Sequence, residues 1–321
     1  MRRAAALVLA PVIAALALAG CSSSSSSSSS AAASASYNSV TVTGDLNQAP
    51  KVTIPKAKGT GGLYTKTLIQ GSGATFTSAD TQAVLGNYAL YDWSGATSKE
   101  LSSSFGSGSQ SVFTGDLLAG LKTALVGQKL GSRVLAVVPP PKGGFGANAT
   151  AEGIGATDTL VFVVDMNKIF SPSLTSKQTS NAGGALPSVT APAAGSTTGP
   201  TVKIDTKAAP PKTLQVKVLA KGTGPVVKKG QNIVIQYTLL LWRTGQVLQS
   251  SWVQQGPGSV IIGEGKVIPG WDKGLVGQTV GSRVLLVVPP VDGYGAAGQS
   301  QAGISGTDTL VFVVDILSSY N

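Results

Sequence analysis

The stretch VGQTVGSRVLLVVPP at residues 276–290 decides the fold, because the chain contains it twice. Residues 126–140 read VGQKLGSRVLAVVPP, and the peptide TDTLVFVVD occurs unchanged at residues 157–165 and 307–315. Both matches are offset by 150 residues. Solenoid repeats are only about 20–50 residues long, so an offset of this size indicates duplication of a whole domain. The 321 residues therefore predict two copies of one domain.

Each copy is patterned as a sheet with one short helix. Pro269 favours the first turn of a helix that runs to about Val276, just before Gly277. Two apolar, valine-rich runs, at residues 283–288 and 309–316, suit the centre of a sheet that is covered on one face. One helix against many strands predicts the α+β class, with an antiparallel sheet packed on the helix. Valine-rich or alternating runs indicate the strands, at residues 214–219, 232–241, 283–288 and 309–316.

Low-complexity segments set the domain boundaries. The Ser/Thr/Ala/Pro/Gly-rich residues 171–200 predict a flexible linker, and the Ser-rich residues 21–47 predict a tether. The two domains are therefore expected at residues 48–170 and 201–321.

Composition excludes several kinds of site. The chain has no histidine and one cysteine, which excludes Ser-His-Asp triads, Cys-His pairs, His-bearing zinc sites and an internal disulfide. The GxGxxG pattern at residues 293–298 lacks the following helix that a dinucleotide site requires. We therefore predict neither a metal nor a cofactor. The net charge of +10, without a basic run interleaved with aromatic residues, predicts no nucleic-acid partner.

The N-terminal residues 1–20 predict a secretory signal peptide, because two arginines precede an apolar stretch that is short for a membrane span. A buried or transmembrane helix is the alternative. The residues Leu18-Ala19-Gly20-Cys21 resemble the bacterial lipobox, and this resemblance implies cleavage before Cys21 and a lipid on its sulfur. We therefore expect an extracytoplasmic protein that is anchored to the bacterial cell membrane through Cys21.

Four segments of the second domain follow one another in a specific order: Gln236-Tyr237-Thr238, Val267-Ile268-Pro269-Gly270-Trp271, Asp292-Gly293-Tyr294-Gly295 and Leu310-Val311-Phe312. In this order they resemble the FKBP-type peptidyl-prolyl cis-trans isomerase family. The resemblance implies two FKBP-like domains, each with a curved antiparallel sheet wrapped around one short helix. It also implies isomerisation of Xaa-Pro bonds in secreted or envelope proteins, proline-containing polypeptides as partners, and macrolides as further ligands.

The resemblance assigns roles within a proline pocket. It makes Trp271 the floor and Tyr237 and Phe312 the walls. The backbone N–H of Ile268 and the hydroxyl of Tyr294 would each hydrogen-bond a substrate carbonyl. Each aromatic residue also has a plain alternative as part of the core. Isomerisation suits a chain without histidine, because rotation about the prolyl bond needs no nucleophile, metal or proton shuttle.

The sides of the pocket match the family less closely. Val267 would pack against the substrate, and Ile304 lies in the loop that forms the rim. Strongly active members of the family have a Phe-Asp pair where this chain has Leu248 and Gln249. The missing aromatic wall and carboxylate predict reduced activity or a changed preference for the residue before proline. A catalytically weak FKBP-like binding or chaperone module is therefore the alternative function.

The first domain departs further from the family. Tyr88 aligns with Tyr237, but Leu121 replaces the floor tryptophan and Phe145 replaces the loop tyrosine. We therefore predict a folded first domain with weak or no activity. A solute-binding lipoprotein is a third possibility, but the alternating α/β lobes of that class are missing from the pattern.

Overall fold

In the computed structural model, the described residues are 34–114, 117–140, 154–155, 157–192, 198–253 and 256–321. Their contacts divide them into two units, one reaching to Ile169 and the other spanning Phe170–Asn321. Cys21, the predicted signal peptide and residues 21–33 of the predicted tether lie outside the described residues. None of the described helices is long and apolar enough to cross a membrane.

Strands make up most of the first unit. Its described α-helix, α1, spans Ala119–Leu125 and follows the Leu117-Leu118 pair. A 3₁₀ turn covers Tyr37–Ser39. The strands among its described residues are β1 (Ser34–Ser36), β2 (Thr41–Thr43), β3 (Lys51–Thr53), β4 (Lys58–Thr60), β5 (Tyr64–Ile69), β6 (Ala83–Ser94), β7 (Thr97–Ser103), β8 (Ser111–Phe113), β9 (Arg133–Val138) and β10 (Thr159–Phe170).

The second unit likewise consists mostly of strands around one described α-helix. Its described α-helix, α2, spans Pro269–Leu275, one residue shorter than predicted. Three 3₁₀ turns cover Pro290–Asp292, Gly295–Ala297 and Ser300–Ala302. The strands among its described residues are β11 (Ser188–Thr190), β12 (Thr201–Lys203), β13 (Gln215–Ala220), β14 (Asn232–Leu241), β15 (Val247–Ser250), β16 (Gly258–Ile261), β17 (Arg283–Val288) and β18 (Leu310–Tyr320).

The two units share one sheet topology. The order is β5-β9-β10-β6-β7 with β8 beside β6 in the first, and β13-β17-β18-β14-β15 with β16 beside β14 in the second. Neighbouring strands of the second sheet are antiparallel. One helix packs on each sheet, α1 against β9 and α2 against β17. The predicted α+β class, with an antiparallel sheet packed on one short helix in each unit, is confirmed.

The sheet of the second unit is buried on both faces, not on one as predicted. Along β17, Val284 and Leu286 belong to the cluster on the helix side. Their neighbours Leu285 and Val287 belong to a separate cluster on the opposite side. Successive side chains of a strand point to opposite faces, so an unbroken apolar run requires a cover on each face.

The second cover comes partly from the segment that was expected to be a flexible linker. Strand β11 pairs with β12, and Val189 of β11 is fully buried against Leu240 and Trp242 of the sheet. In the first unit, Tyr37 and Val40 pack in the same way on the sheet face opposite α1. The apolar second face explains the difference from the prediction, because burying it stabilises the segment against the sheet.

A buried ion pair lies at the same place in both sheets. Arg283 donates from Nε and Nη2 to the two carboxylate oxygens of Asp315, each at 2.7 Å. Arg133 and Asp165 make the equivalent pair at 2.6 and 2.7 Å. Burial raises the pKa of Asp315 above its ordinary value, even though Arg283 opposes the shift. These pairs belong to the scaffold and lie outside the aromatic cluster described next.

Candidate functional site

Three aromatic rings meet between α2 and the sheet of the second unit. Tyr237 comes from β14, Trp271 from α2 and Phe312 from β18. The ring centroid of Trp271 lies 5.5 Å from that of Tyr237 and 5.2 Å from that of Phe312, and both pairs are edge-on. Tyr237 and Phe312 are 6.4 Å apart. Such edge-on packing is the favourable arrangement of aromatic quadrupoles.

The start of α2 aims Trp271 at the sheet. Pro269 occupies the first helical turn, and Ile268 precedes it in extended conformation at φ −61° and ψ 146°. Residue 270 must be glycine, because a Cβ there would lie 2.6 Å from Cγ1 of Val288. The close approach of helix and sheet leaves Trp271 only 7% exposed. Its indole Nε1 is buried without a hydrogen-bond partner among the described residues.

The segment before α2 is tied back to the helix by Asp272. This carboxylate accepts the N–H of Gly263 at 2.6 Å and the N–H of Gly265 at 2.7 Å. Both glycines have positive φ, at 84° and 68°, which L-residues rarely adopt. The turn brings Val267 and Ile268 against the aromatic cluster. Within the described part of the chain, the N–H of Ile268 has no hydrogen-bond acceptor and is available to a ligand.

Tyr294 lies on a loop that is joined to the helix by an ion pair. Lys273 of α2 donates to Oδ1 of Asp292 at 2.6 Å, two residues before Tyr294. Burial raises the pKa of Tyr294. Burial, together with the nearby Tyr294, raises the pKa of Tyr237 to about 12. Both phenols therefore stay protonated at neutral pH, and both can donate a hydrogen bond.

The remaining predicted site residues lie at the edge of the same cluster. Ile304 is 4% exposed and belongs to the core around Trp271, while Leu248 is half-buried against it. Gln249 pairs with Leu239 across β14 and β15, and it is exposed. The structure thus brings eight of the nine predicted pocket residues into one apolar cluster and leaves Gln249 as a neutral rim residue.

Sequence reasoning missed the polar contacts that hold these residues in place. Asp272 and the Lys273–Asp292 pair are two, and the pair between Arg243 and Asp308 is a third, with Nε and Oδ1 2.7 Å apart. Asp272 and Lys273 directly follow Trp271 in the sequence, so their position beside the predicted floor residue could have indicated a supporting role. Arg243 and Asp308 are separated by 65 residues, and no spacing rule links them.

The equivalent region of the first unit is built differently. Leu121 of α1 replaces the floor indole and is 2% exposed. Tyr88 packs edge-on against Phe113 at 6.0 Å, and its hydroxyl is 2.7 Å from Oγ of Ser102. That phenol therefore already has a partner. Phe145, the predicted counterpart of Tyr294, lies outside the described residues.

No group of three or more His, Cys, Asp or Glu side chains in the described ranges could hold a metal ion. The arrangement in the second unit is therefore an apolar, aromatic surface with a free backbone N–H at one side and a phenol at the other. It can bind an apolar ring and hydrogen-bond the carbonyl groups beside that ring.

Comparison with known proteins gives the following matches. The model of a family described as FKBP-type peptidyl-prolyl cis-trans isomerase matches residues 224–317. An FK506-binding protein of Streptomyces anulatus is 36% identical over 109 residues, which are 34% of this chain and 88% of the relative. The peptidyl-prolyl cis-trans isomerase FKBP12 of Vicia faba is 32% identical over 108 residues, or 32% of this chain and 96% of the relative. A crystal structure of the three FKBP domains of wheat FKBP73 aligns with 81% of this chain and 95% of its own, at 22% identity and a TM-score of 0.31.

Proposed function

The chain belongs to the FKBP-type peptidyl-prolyl cis-trans isomerase family, and from this premise we propose that its second unit isomerises Xaa-Pro peptide bonds. One observation carries the proposal. Trp271, Tyr237 and Phe312 form an edge-on cluster flanked by two unused donors, the N–H of Ile268 and the hydroxyl of Tyr294.

The proposed mechanism lowers the rotation barrier by changing the surroundings of the amide. The prolyl bond resists rotation because of its partial double-bond character, with a barrier of ~18–20 kcal/mol. Twisting the bond removes the conjugation and reduces charge separation, so an apolar pocket favours the twisted amide over the planar one. Trp271 would lie under the prolyl ring, with Tyr237 and Phe312 at its sides. Lowering the barrier by ~4–8 kcal/mol corresponds to roughly 10³- to 10⁶-fold acceleration.

The two donors fix the geometry of the twisted state. The Ile268 N–H stands at the start of α2, where its backbone is held by the Pro269 turn. The Tyr294 hydroxyl is protonated at neutral pH, because burial raises a pKa whose ordinary value is already well above 7. Each donates to a carbonyl that flanks the rotating bond. Donors that are already in position need no reorganisation during the reaction.

We assign little or no activity to the first unit. Leu121 supplies no aromatic floor, and the Tyr88 hydroxyl is occupied by Ser102. A prolyl ring placed there would meet the aliphatic side chain of Leu121, and Phe145, which replaces the donor Tyr294 in the sequence, has no hydroxyl.

A catalytically weak binding module is the second candidate, and one observation favours it. Leu248 and exposed Gln249 stand where the aromatic and carboxylate residues of strongly active members were expected. A pocket with a lower wall on this side can hold a proline-containing segment without strongly favouring the twisted amide. Proline-containing polypeptides are the partners under both candidates. The relative from Streptomyces anulatus is named as an FK506-binding protein. We propose macrolides such as FK506 as ligands of the same pocket.

Isomerisation of a short peptide separates the two candidates. We would follow the cis-to-trans relaxation of a Leu-Pro tetrapeptide by NMR exchange with and without the full chain at micromolar concentration. Faster exchange that FK506 suppresses supports the catalytic function. Peptide binding without faster exchange would favour the binding module. If the chain neither binds the peptide nor accelerates its exchange, both candidates are refuted.

We also propose that the protein is exported and lipid-anchored, on the basis of the N-terminal sequence. The lipobox-like residues Leu18-Ala19-Gly20-Cys21 support this proposal. Two or more acyl chains are needed for stable membrane attachment. Detergent partitioning of the expressed chain and of its Cys21→Ser variant tests it. The wild type should enter the detergent phase and the variant should not, whereas equal partitioning would contradict the anchor.

A further inference from the structure

The rim loop of the pocket is held by a charged contact from the far end of β14. Arg243 follows β14 and donates from Nε to Oδ1 of Asp308 at 2.7 Å and from Nη2 to the carbonyl of Gly303 at 3.3 Å. The other oxygen of Asp308 accepts the N–H of Ser305 at 2.7 Å. Arg243 thus reaches the loop on both sides of Ile304.

Ile304 is the residue that this contact immobilises. Its N–H and carbonyl are both engaged by Gln299, which closes the base of the loop. Its side chain is 4% exposed and packs in the cluster that contains Trp271 and Phe312. Asp308 lies four residues before Phe312, at the entry to β18. A shift of the loop would therefore move one wall of the pocket relative to its aromatic floor.

The electrostatics favour a persistent contact. The carboxylate of Asp308 is 2% exposed, whereas the Arg243 side chain is 54% exposed. Burial acts to raise the pKa of Asp308, but the hydrogen bonds from Ser305 and Arg243 outweigh it and bring the pKa below its ordinary value. Hydrogen bonds to an ionised acceptor are roughly twice as strong as neutral ones. The arginine is therefore part of what keeps this carboxylate charged.

The first unit provides an internal comparison, because it has Asp158 at the place of Asp308 but no arginine at the place of Arg243. Trp93 and Trp242 occupy equivalent positions, since each donates its indole N–H to the carbonyl of an alanine, Ala57 or Ala208. The next residue is Ser94 in the first unit and Arg243 in the second. The first unit, whose floor is Leu121, also lacks this arginine contact.

We propose that Arg243, acting through Asp308 and Gly303, is a positioning residue that fixes the Ile304 wall of the substrate pocket. The proposal rests on the proposed isomerase function of the second unit. Arg243 does not touch the substrate. It sets how closely the wall fits the residues around the proline, so its loss should weaken substrate binding more than it slows the chemical step.

The test compares Arg243→Gln with the wild type and with Lys221→Gln, which removes an equal charge from an exposed site. We expect Arg243→Gln to raise KM for the Leu-Pro peptide roughly three- to tenfold with kcat within about twofold, because the change affects fit and leaves the floor intact. Arg243→Lys should restore part of the loss, because one ammonium can reach Asp308 or Gly303 but does not reproduce the planar fork. Lys221→Gln should behave as the wild type.

The pH profile separates positioning from general destabilisation. Without Arg243, Asp308 keeps the hydrogen bond from the Ser305 N–H but loses the contacts of the guanidinium that also lower its pKa, so its pKa should rise. As the pH is lowered, the KM of Arg243→Gln should therefore begin to increase at a higher pH than the KM of the wild type. Thermal unfolding at each pH checks that the variant remains folded. A wild-type KM and a wild-type pH profile in Arg243→Gln would overturn the proposal.

Hydrogen exchange at the Ser305 amide distinguishes a failure of the positioning role from a failure of the proposed isomerase function. The Ser305 N–H donates to Asp308, so it should exchange faster in Arg243→Gln than in the wild type, whether or not the chain is active. A wild type that does not accelerate isomerisation would refute the proposed function. Unchanged Ser305 protection in Arg243→Gln would refute the positioning role by itself.

Discussion

Replacing Trp271 by leucine, the residue at the equivalent place in the first unit, should damage activity far more than stability. Trp271 is 7% exposed and makes edge-on contacts to Tyr237 and Phe312 at 5.5 and 5.2 Å. Two lost aromatic pairs cost about 0.5–1.5 kcal/mol each beyond the buried area. Removing the unpaired indole N–H returns about 1–3 kcal/mol, the typical penalty for a buried donor without an acceptor.

These two contributions nearly cancel in the free energy of unfolding, and the smaller leucine side chain, which leaves part of the space of the indole unfilled, makes the net effect destabilising. We expect a net destabilisation of about 0–2 kcal/mol, which for a unit of this size lowers Tm by a few degrees, at roughly 2–4 °C per kcal/mol. The floor under the prolyl ring is lost at the same time. We therefore expect kcat/KM to fall roughly 10- to 100-fold, or about 1.4–2.7 kcal/mol of transition-state stabilisation.

Peptide exchange and differential scanning calorimetry on the full chain measure both quantities. Trp93→Leu is the matched control, because Trp93 is 2% exposed but its indole N–H donates to Ala57 in the first unit. That variant should lose more stability, since it leaves the Ala57 carbonyl without its donor, and it should keep full activity. The reasoning is refuted if Trp271→Leu keeps wild-type kcat/KM, or if it destabilises its unit more than Trp93→Leu destabilises the first.

Three further predictions concern other parts of the chain. Burial and the neighbouring Asp158 raise the pKa of Asp92 to about 6. Protonated Asp92 therefore stabilises the first unit below about pH 4, and this contribution is lost as the pH rises through about 6. After solvent screening the contribution is about 1–2 kcal/mol, and Asp92→Asn should abolish this pH dependence in calorimetry. Val189→Asp should lower the unfolding free energy of the second unit by about 3 kcal/mol or more, because it buries a charge against the sheet; a neutral result would mean that β11 behaves as a free linker. Leu248→Phe should raise kcat/KM by roughly threefold by adding an aromatic wall, and Val247→Phe, which adds the same ring at an exposed position of the same strand, serves as its control.

The sequence predicted the scaffold well, because its strongest signals are local or repeated. The 150-residue offset predicted two equivalent units, and the equal registers of Arg133 with Asp165 and Arg283 with Asp315 match it. Pro269 marked the start of α2 correctly. The second face of each sheet was missed, although the unbroken valine runs carried that information. The low complexity of residues 171–200 predicted a flexible linker, although this segment contains Val189, which is buried against the sheet.

The candidate site was predicted as a set of side chains, and its supports were not. Tyr237, Trp271 and Phe312 lie in three separate segments, and a resemblance to a known order of motifs was required to group them. The contacts of Asp272 with Gly263 and Gly265 depend on a turn whose geometry no pattern reveals. The Arg243–Asp308 pair joins the ends of two strands that are neighbours only after folding. Long-range polar contacts of this kind leave no periodic trace in a sequence.

The difference between the two units follows from where each stabilising contact lies. The buried ion pair, the second-face cover and the tryptophan-to-alanine hydrogen bond are present in both, and none of them involves the aromatic pocket. These shared contacts therefore stabilise both units without the aromatic residues of the pocket. Trp271 leaves a buried donor without a partner, whereas Leu121 fills the same position with no polar atom. The unpaired N–H of Trp271 offsets part of the stability that its aromatic contacts supply, a cost that leucine would not carry. A cost of this kind favours a binding role for the indole, and therefore the second unit as the one that holds the substrate.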